Sequence, residues 1–156
     1  MAMAEAVRAF LSARGVDYEV VPHAPAGTSS RTAQAAHVPG ASLAKAVVVE
    51  DPSHCVLVVL PATAQVHLGD LRRELGDTYA LATEENVQRI FADCDAGSVP
   101  PFGQVYGLDV LLDESLLDQE RVYLESGDRA ALLVMKGEDF RRLMGDARRG
   151  RYGHPS

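Results

Sequence analysis

Two features of the sequence could support chemistry: a lysine inside an apolar segment, and a loop rich in glycine and proline. Lys45 lies in the run Leu43–Val49, whose other residues are all apolar. A charge in a strand that is apolar on both faces must reach a cavity, a partner or a ligand. The loop 96–103 reads Ala-Gly-Ser-Val-Pro-Pro-Phe-Gly. Its glycines permit close approach to the backbone and its prolines stiffen it, so its N–H groups could hold a carbonyl, as oxyanion sites do.

Both features also have a purely structural interpretation. Lys45 could lie on an edge strand and extend its ammonium to solvent. The loop could be an ordinary connection between a helix and a strand. The chain carries 13 arginines and only two lysines, Lys45 and Lys136, and a lysine in a strand favours a role for a compact ammonium whose pKa can shift. The residues alone leave both interpretations open.

Hydroxyl groups cluster at Thr28, Ser29 and Ser30, ahead of a predicted short helix. We expect Ser29 or Ser30 to cap that helix, and a remaining hydroxyl or N–H could bind a phosphate of an RNA end. A second polar segment, Ser126-Gly127-Asp128, is typical of a tight hairpin turn.

The cysteines and histidines show no metal-ligand spacing, which argues against a metal site; the histidines considered are His23, His37, His54 and His67. Cys94 could pair with a histidine as a nucleophile, but a small buried side chain is favoured. The sequence has no Gly-x-Ser-x-Gly, P-loop or Gly-x-Gly-x-x-Gly motif, so serine-hydrolase, NTPase and dinucleotide-binding functions have no support.

Composition limits the remaining classes. A chain of 156 residues with 47% hydrophobic content predicts one domain with its own core. No apolar run approaches the ~20 residues of a membrane span, and the first eight residues do not resemble a signal peptide. Two cysteines without an export signal indicate reduced thiols in the cytoplasm. A net charge of −7 argues against a general nucleic-acid binder and predicts weak, transient contact with an RNA end.

The elements that must position these residues follow from hydrophobic periodicity. It predicts an N-terminal helix that ends at Gly15, further helices over 31–37, 68–75, 83–91 and 137–144, and strands over 16–20, 43–50, 55–60, 105–112, 121–125 and 130–135. Paired strands interrupted by helices predict an α+β fold with a mixed, mostly antiparallel, curled sheet. We expect one domain over 1–144 and a frayed tail over 145–156.

The segment Gly97-Ser98-Val99-Pro100-Pro101 resembles the Gly-x-x-x-Pro loop of the YbaK/prolyl-tRNA-synthetase editing-domain family. The resemblance runs from about Val20 to Leu143. It includes Val38-Pro39-Gly40, Leu43–Val47, Leu60-Pro61-Ala62, Leu81–Glu85, Phe91–Cys94, Tyr123–Asp128 and Gly137–Leu143. Members are free-standing aminoacyl-tRNA deacylases, and the resemblance implies a barrel-like mixed sheet with helices packed around it.

The resemblance also implies roles for individual residues. The lysine of the family falls on Lys45, and its glycine and proline fall on Gly97 and Pro101; with Ser98 these are the expected catalytic residues. The expected substrate-binding residues are Thr28, Ser29, Val99, Phe102, Gly103, Ser126 and Asp128, with Glu125 as a second-rank candidate. Some relatives that clear alanine from proline tRNA carry His-Pro and a following Asn where this chain has Glu-Ser-Gly-Asp, so that substrate is not implied.

We therefore expect a trans-editing hydrolase that cleaves the ester of a mischarged aminoacyl-tRNA. The 97–103 loop would hold the carbonyl, Lys45 would hold the ribose or phosphate, and pocket size would exclude larger amino acids. The alternative is a non-catalytic module that binds an aminoacyl-nucleotide or a protein. The expected partner is the acceptor end of aminoacyl-tRNA, with an aminoacyl-tRNA synthetase as a second candidate. No cofactor, metal, membrane or DNA is expected.

Overall fold

A computed structural model describes residues 3–155. Met1, Ala2 and Ser156 lie outside it, as do the parts of the signal-peptide and tail predictions that rest on them. The helices are α1 (Glu5–Ala13), α2 (Ser29–Ala36), α3 (Leu68–Leu75), α4 (Glu84–Ile90) and α5 (Gly137–Met144). The strands are β1 (Glu19–Pro22), β2 (Leu43–Glu50), β3 (Cys55–Pro61), β4 (Ala64–Val66), β5 (Ala80–Leu81), β6 (Asp109–Asp113), β7 (Arg121–Glu125), β8 (Ala131–Lys136), β9 (Arg148–Gly150) and β10 (Gly153–Pro155). No helix within the described range is long and apolar enough to cross a membrane.

The main sheet has eight strands in the order β1-β8-β7-β2-β3-β6-β9, with β5 beside β2. Most pairs are antiparallel, and the pairs β2–β7, β3–β6 and β6–β9 are parallel. The mixed, mostly antiparallel α+β fold is therefore confirmed. The order ends at β1 and β9 without closing, so the barrel-like form stays a prediction. The apolar strands β2 and β3 lie at the centre because both of their faces are covered.

The two faces of the sheet pack against different helices. Ala44 and Val48 of β2 share one core cluster with Phe10 of α1 and Phe140 of α5. Leu43 lies on the opposite face, where it packs with α2. Because side chains alternate along a strand, Lys45 shares the face of Leu43. We call this side of the sheet the Lys45 face.

The C-terminal tail differs from the expectation. Residues Arg148–Gly150 pair with β6, and Gly153–Pro155 pair with β4. Tyr152 between them is 3% exposed, and its N–H donates to Asp113 Oδ2. The predicted frayed tail is wrong for these residues. Strands of only three residues, held by one buried aromatic side chain, are too short to show a hydrophobic periodicity in the sequence.

Two predicted strands also shift. The first begins at Glu19, because Val16 is still bound to α1 through an N–H that donates to Leu11 O. The predicted strand over 105–112 begins at Asp109 instead. A 3₁₀ turn over Gly103–Tyr106 precedes it.

Candidate active site

The central strand β2 changes partner along one edge. Leu43 and Ala44 pair with β7, while Val49 and Glu50 pair with β5. Within residues 3–155, the intervening residues 45–48 have no strand partner on that side, although Ala82 N–H donates to Val48 O and β3 pairs with them on the other side. We call this interruption the β2 gap. It places Lys45 beside an opening in an otherwise continuous sheet.

Lys45 keeps an unpaired ammonium at this gap. The residue is half-buried, and burial lowers the pKa of its side chain. Its side chain forms no hydrogen bond or ion pair within residues 3–155. The edge-strand interpretation is wrong, since β2 is central. A partly desolvated cation without a protein partner is suited to an oxygen-rich ligand.

Glu125 is the next residue on the neighbouring strand. The β2–β7 ladder ends at Ala44 and Leu124, so Lys45 and Glu125 follow its last pair. Glu125 is 6% exposed, and its Oε1 is buried without a hydrogen-bond partner in the described chain. Burial raises the pKa of this carboxyl to about 8. From the sequence Glu125 was only a second-rank candidate for substrate binding. A carboxyl group directly after the apolar residues Val122-Tyr-Leu was nevertheless a detectable signal.

A third unpartnered polar atom belongs to His23. Glu125 pairs in register with Leu132, and Leu132 with Val21, so these side chains share the Lys45 face. Alternation places His23, two residues after Val21, on the same face. Its Nδ1 donates to Ala24 O at 2.8 Å, which leaves Nε2 of the neutral ring as an acceptor, and Nε2 is buried without a described partner.

The glycine-proline loop is fixed to the turn that follows β7. Asp95 N–H donates to Gly127 O (2.8 Å), Gly127 N–H donates to Ser98 Oγ (3.0 Å), and Arg129 N–H donates to Asp95 Oδ2 (3.1 Å). Gly127 has a φ of +95°, and a Cβ there would lie 2.7 Å from Ala4 Cβ. These contacts bring the loop to the end of β7 that carries Glu125.

Ser98 serves this connection and does not face a substrate. The residue is fully buried, and its own N–H donates to Asp95 O at 3.1 Å. Of the N–H groups that precede the prolines, those of Gly97 and Val99 have no hydrogen-bond acceptor within residues 3–155. The backbone clamp expected from three consecutive N–H groups is therefore reduced to these two.

Gly97 lies at the surface of a cleft of about 440 Å³. Its φ is +82°, a left-handed conformation that favours glycine, and no atom lies within 4 Å of a Cβ built there. The absence of a side chain leaves its N–H approachable. The cleft is lined by Pro25, Ala26, Gly27, Glu84, Ala96, Gly97 and Arg129.

The remainder of the loop belongs to the core. Phe102 is fully buried, and its ring centroid lies 5.2 Å from that of Phe10. A Cβ on Gly103 would lie 2.7 Å from Val110 Cγ2. Val99 packs against the same cluster, and Pro101 is buried. The side chains of Val99, Pro101 and Phe102 are used in packing. The expected substrate-binding role of Val99, Phe102 and Gly103 therefore rests on their backbone groups and stays a prediction.

The three hydroxyl groups of residues 28–30 differ in their hydrogen bonding. Thr28, rather than Ser29 or Ser30, caps α2, because its Oγ1 accepts from Arg31 N–H at 3.2 Å. Ser30 donates to Ala62 O at 3.1 Å. Ser29 is half-buried, and its hydroxyl has no partner in the described chain. Only Ser29 of the three keeps a free hydroxyl for a ligand.

Ser126 and Asp128 form the turn itself. Ser126 Oγ donates to Ala131 O (2.7 Å) and accepts from Asp128 N–H (3.1 Å), while Asp128 Oδ1 accepts from Ala130 N–H (2.9 Å). The groove that they border includes Arg8 of α1 and lies on the opposite face from Lys45. The expectation that they bind substrate is therefore corrected to a structural role.

Two other candidate centres do not fit catalysis. Burial raises the pKa of the Cys94 thiol to about 12, which disfavours a nucleophilic thiolate. A cluster missed in the sequence joins Asp70 Oδ2 to His67 Nδ1 (3.2 Å) and His154 Nε2 (3.0 Å). The imidazole rings stack at 4.2 Å with a 19° interplanar angle, and His67 Nδ1 already accepts from Asp70 N–H at 3.2 Å. Asp70 also pairs with Arg73.

Larger grooves exist elsewhere on the surface. Two, each of about 700 Å³, lie beside the start of α5 and beside its C-terminal end. Neither is lined by Lys45, Glu125 or Gly97. Because the buried, unpartnered polar atoms of Glu125 and His23 lie on the Lys45 face and not in these grooves, we assign the candidate active site to the β2 gap and the Gly97 cleft.

Known proteins resemble this chain in sequence and in fold. The family model of the aminoacyl-tRNA editing domain matches residues 23–143. No curated protein sequence matches the chain. A solved structure described as a "putative trans-editing enzyme for prolyl tRNA synthetase" superposes with a TM-score of 0.79 at 26% identity, covering 97% of this chain and 96% of that one. Hypothetical protein APE2540 has a TM-score of 0.83 at 22% identity, covering 96% of this chain and 100% of that one.

Proposed function

This chain belongs to the aminoacyl-tRNA editing domain family, and on that premise we propose that it is a trans-editing hydrolase of mischarged aminoacyl-tRNA. The observation that carries the proposal is the unpaired, half-buried ammonium of Lys45 in the β2 gap. An editing site must hold an ester whose oxygens are acceptors, and Lys45 is a donor without a protein acceptor in the described chain.

In the proposed reaction, water adds to the ester carbonyl carbon, the bond from that carbon to the ribose oxygen breaks, and the ribose oxygen takes up a proton. The products are the free amino acid and the uncharged tRNA. The ester is already activated, so a strong protein base is not needed, and the neighbouring ribose hydroxyl can orient the water. The protein mainly positions the reacting groups.

The N–H groups of Gly97 and Val99 are the proposed donors to the carbonyl oxygen. Both lack a described acceptor, and of these two residues Gly97 is the one that lines the cleft. Donors fixed before the reaction stabilise the charge that develops on the carbonyl oxygen. The three hydrogen bonds between 95–98 and 127–129 provide that rigidity.

The cleft at Gly97 is the proposed entrance for the acceptor end of the tRNA. Among the described residues Arg129 is the only basic one that lines it, and the Ser29 hydroxyl, without a partner in that range, lies at the N-terminus of α2. One arginine on a chain of net charge −7 predicts weak and transient binding, because phosphate contacts supply most non-specific affinity. An aminoacyl-tRNA synthetase remains a second expected partner and the cytoplasm the expected compartment.

Small side chains are the proposed substrates, because a confined site excludes amino acids that are too large to enter. The test is a panel of tRNAs charged with Ala, Ser, Thr, Cys and Pro, scored for loss of the ester against a no-enzyme control. We expect at least one ester to be lost faster with the protein. If none is, the deacylase proposal fails, and a non-catalytic aminoacyl-nucleotide or protein-binding module replaces it.

A further inference from the structure

Two buried acceptors on the Lys45 face lack a donor. Glu125 Oε1 and His23 Nε2 are both inaccessible to water and unpartnered in the described residues. A buried polar atom without a partner costs free energy, commonly ~1–3 kcal/mol in proteins. Such atoms are expected where a ligand completes the hydrogen bonding.

On the Lys45 face, the hydrogen-bond acceptors and the hydrogen-bond donor come from different strands. The acceptors are His23, directly after β1, and Glu125, at the end of β7, and the donor Lys45 belongs to β2. An aminoacyl ester has the complementary arrangement, with an α-ammonium that only donates and carbonyl and ribose oxygens that accept. If Lys45 binds the carbonyl or ribose oxygens of the substrate, the α-ammonium of the substrate would face the acceptors Glu125 and His23.

We propose that Glu125 binds the α-ammonium group of the aminoacyl substrate, with His23 Nε2 as a second acceptor, an inference that rests on the proposed function. Glu125 is thus a substrate-binding residue that selects esters with a free α-amino group over N-acylated ones. An ammonium offers three N–H donors, and hydrogen bonds between ionised groups are about twice as strong as neutral ones.

The structure favours the α-ammonium over the alternative occupant, Lys45 itself. Lys45 and Glu125 occupy successive positions beyond the last β2–β7 pair, yet no ion pair joins them in the described chain. Burial alone shifts the pKa of each group. Two titratable groups at neighbouring positions that form no ion pair in the described chain each keep hydrogen-bonding capacity for a ligand.

The experiment measures binding of a non-hydrolysable probe, 3′-alanylamino-3′-deoxyadenosine, and of its N-acetylated form. Calorimetry on the whole chain compares wild type with Glu125→Gln, which keeps the shape of the buried side chain but cannot ionise. Glu120→Gln is the matched control, since Glu120 is exposed and precedes the opposite end of β7. We expect wild type and Glu120→Gln to bind the free-amine probe at least ~10-fold more tightly than the acetylated one, the scale of one charge-assisted contact.

In Glu125→Gln the preference should fall to within about two-fold while binding of the acetylated probe is retained. The proposal is overturned if Glu125→Gln keeps the full preference, if wild type shows none, or if wild type binds neither probe. A wild type that discriminates between the probes but does not hydrolyse charged tRNA would refute the deacylase proposal and leave the α-ammonium site standing.

Discussion

Lys45 and Glu125 follow the last residue pair between β2 and β7, and their side chains form no ion pair in the described chain. Buried charges in proteins are ordinarily paired. Here burial lowers the pKa of Lys45 and raises the pKa of Glu125 to about 8, and neither side chain has a partner in the described chain. The proposed substrate orientation follows from the absence of an ion pair between these two neighbours.

Gly97→Ala should lower deacylation at least ~10-fold, because a methyl group would obstruct approach to the Gly97 N–H and alanine disfavours positive φ. Gly107→Ala is the matched control: Gly107 also has a positive φ, +75°, with no atom within 4 Å of a built Cβ, and does not line the cleft. Single-turnover rates and melting temperatures of both variants separate obstruction from backbone strain. Equal rates in the two variants would contradict a role for the Gly97 backbone.

Cys94→Ala should leave deacylation within a few-fold of wild type. The thiol is buried, and its raised pKa of about 12 keeps it protonated at neutral pH. Measuring this variant beside Gly97→Ala under the same conditions compares the two mechanisms directly. An inactive Cys94→Ala and an active Gly97→Ala would indicate a thiol nucleophile in place of a backbone clamp.

Ser98→Ala should reduce stability by about 1–3 kcal/mol, since Gly127 N–H would lose its buried acceptor. Urea unfolding measures this loss, with Ser53→Ala in the exposed β2–β3 turn as the control. Activity should fall because the loop is no longer fixed to the β7–β8 turn. Loss of activity with unchanged stability would instead assign Ser98 a direct catalytic role.

Stability should decrease as pH rises from about 4.5 to about 8, because of Glu125. Its pKa is 4.5 in the reference state and about 8 in the folded protein, so folding takes up a proton in that window and the free energy of unfolding falls as pH rises through it. His23 and Lys45 share its face, so the measurement is the difference between wild type and Glu125→Gln. Glu125→Gln should be the more stable by a few kcal/mol near pH 8, with a smaller difference near pH 5. A difference independent of pH would contradict a buried, unpartnered carboxyl.

Local patterns were sufficient to predict much of the fold. The β2–β3 hairpin, the Thr83 cap of α4 and the Gly15 end of α1 all depend on residues close in sequence. Lys45 and Gly97 could also be identified as candidates from the sequence, because a charge in an apolar strand and a glycine shortly before two prolines are unusual in themselves. The structure places both at the candidate site, although their catalytic roles remain predictions.

The features that could not be predicted from the sequence depend on pairing between strands that are far apart in the chain. Glu125 has no partner on β2 because the parallel pairing of β7 with β2 stops at Leu124, whereas β2 continues to Glu50. The two strands are about 80 residues apart in the sequence. The His67–Asp70–His154 cluster similarly requires β10 to pair with β4. Phe102 and Ser126 are buried, and burial, which residue type alone does not predict, decides whether such side chains face a core or a ligand.

The most direct test of the central claim compares Lys45→Ala with Lys136→Ala in the charged-tRNA panel. Lys136, the other lysine of the chain, is exposed at the start of α5, and its side chain forms no hydrogen bond in the described residues. We expect Lys45→Ala to fold normally but to hydrolyse the preferred ester at least ~10-fold more slowly, the scale of a lost contact worth ~1.5–3 kcal/mol. Lys136→Ala should match wild type. Equal rates in all three proteins would contradict the assignment of the active site to Lys45 and the β2 gap.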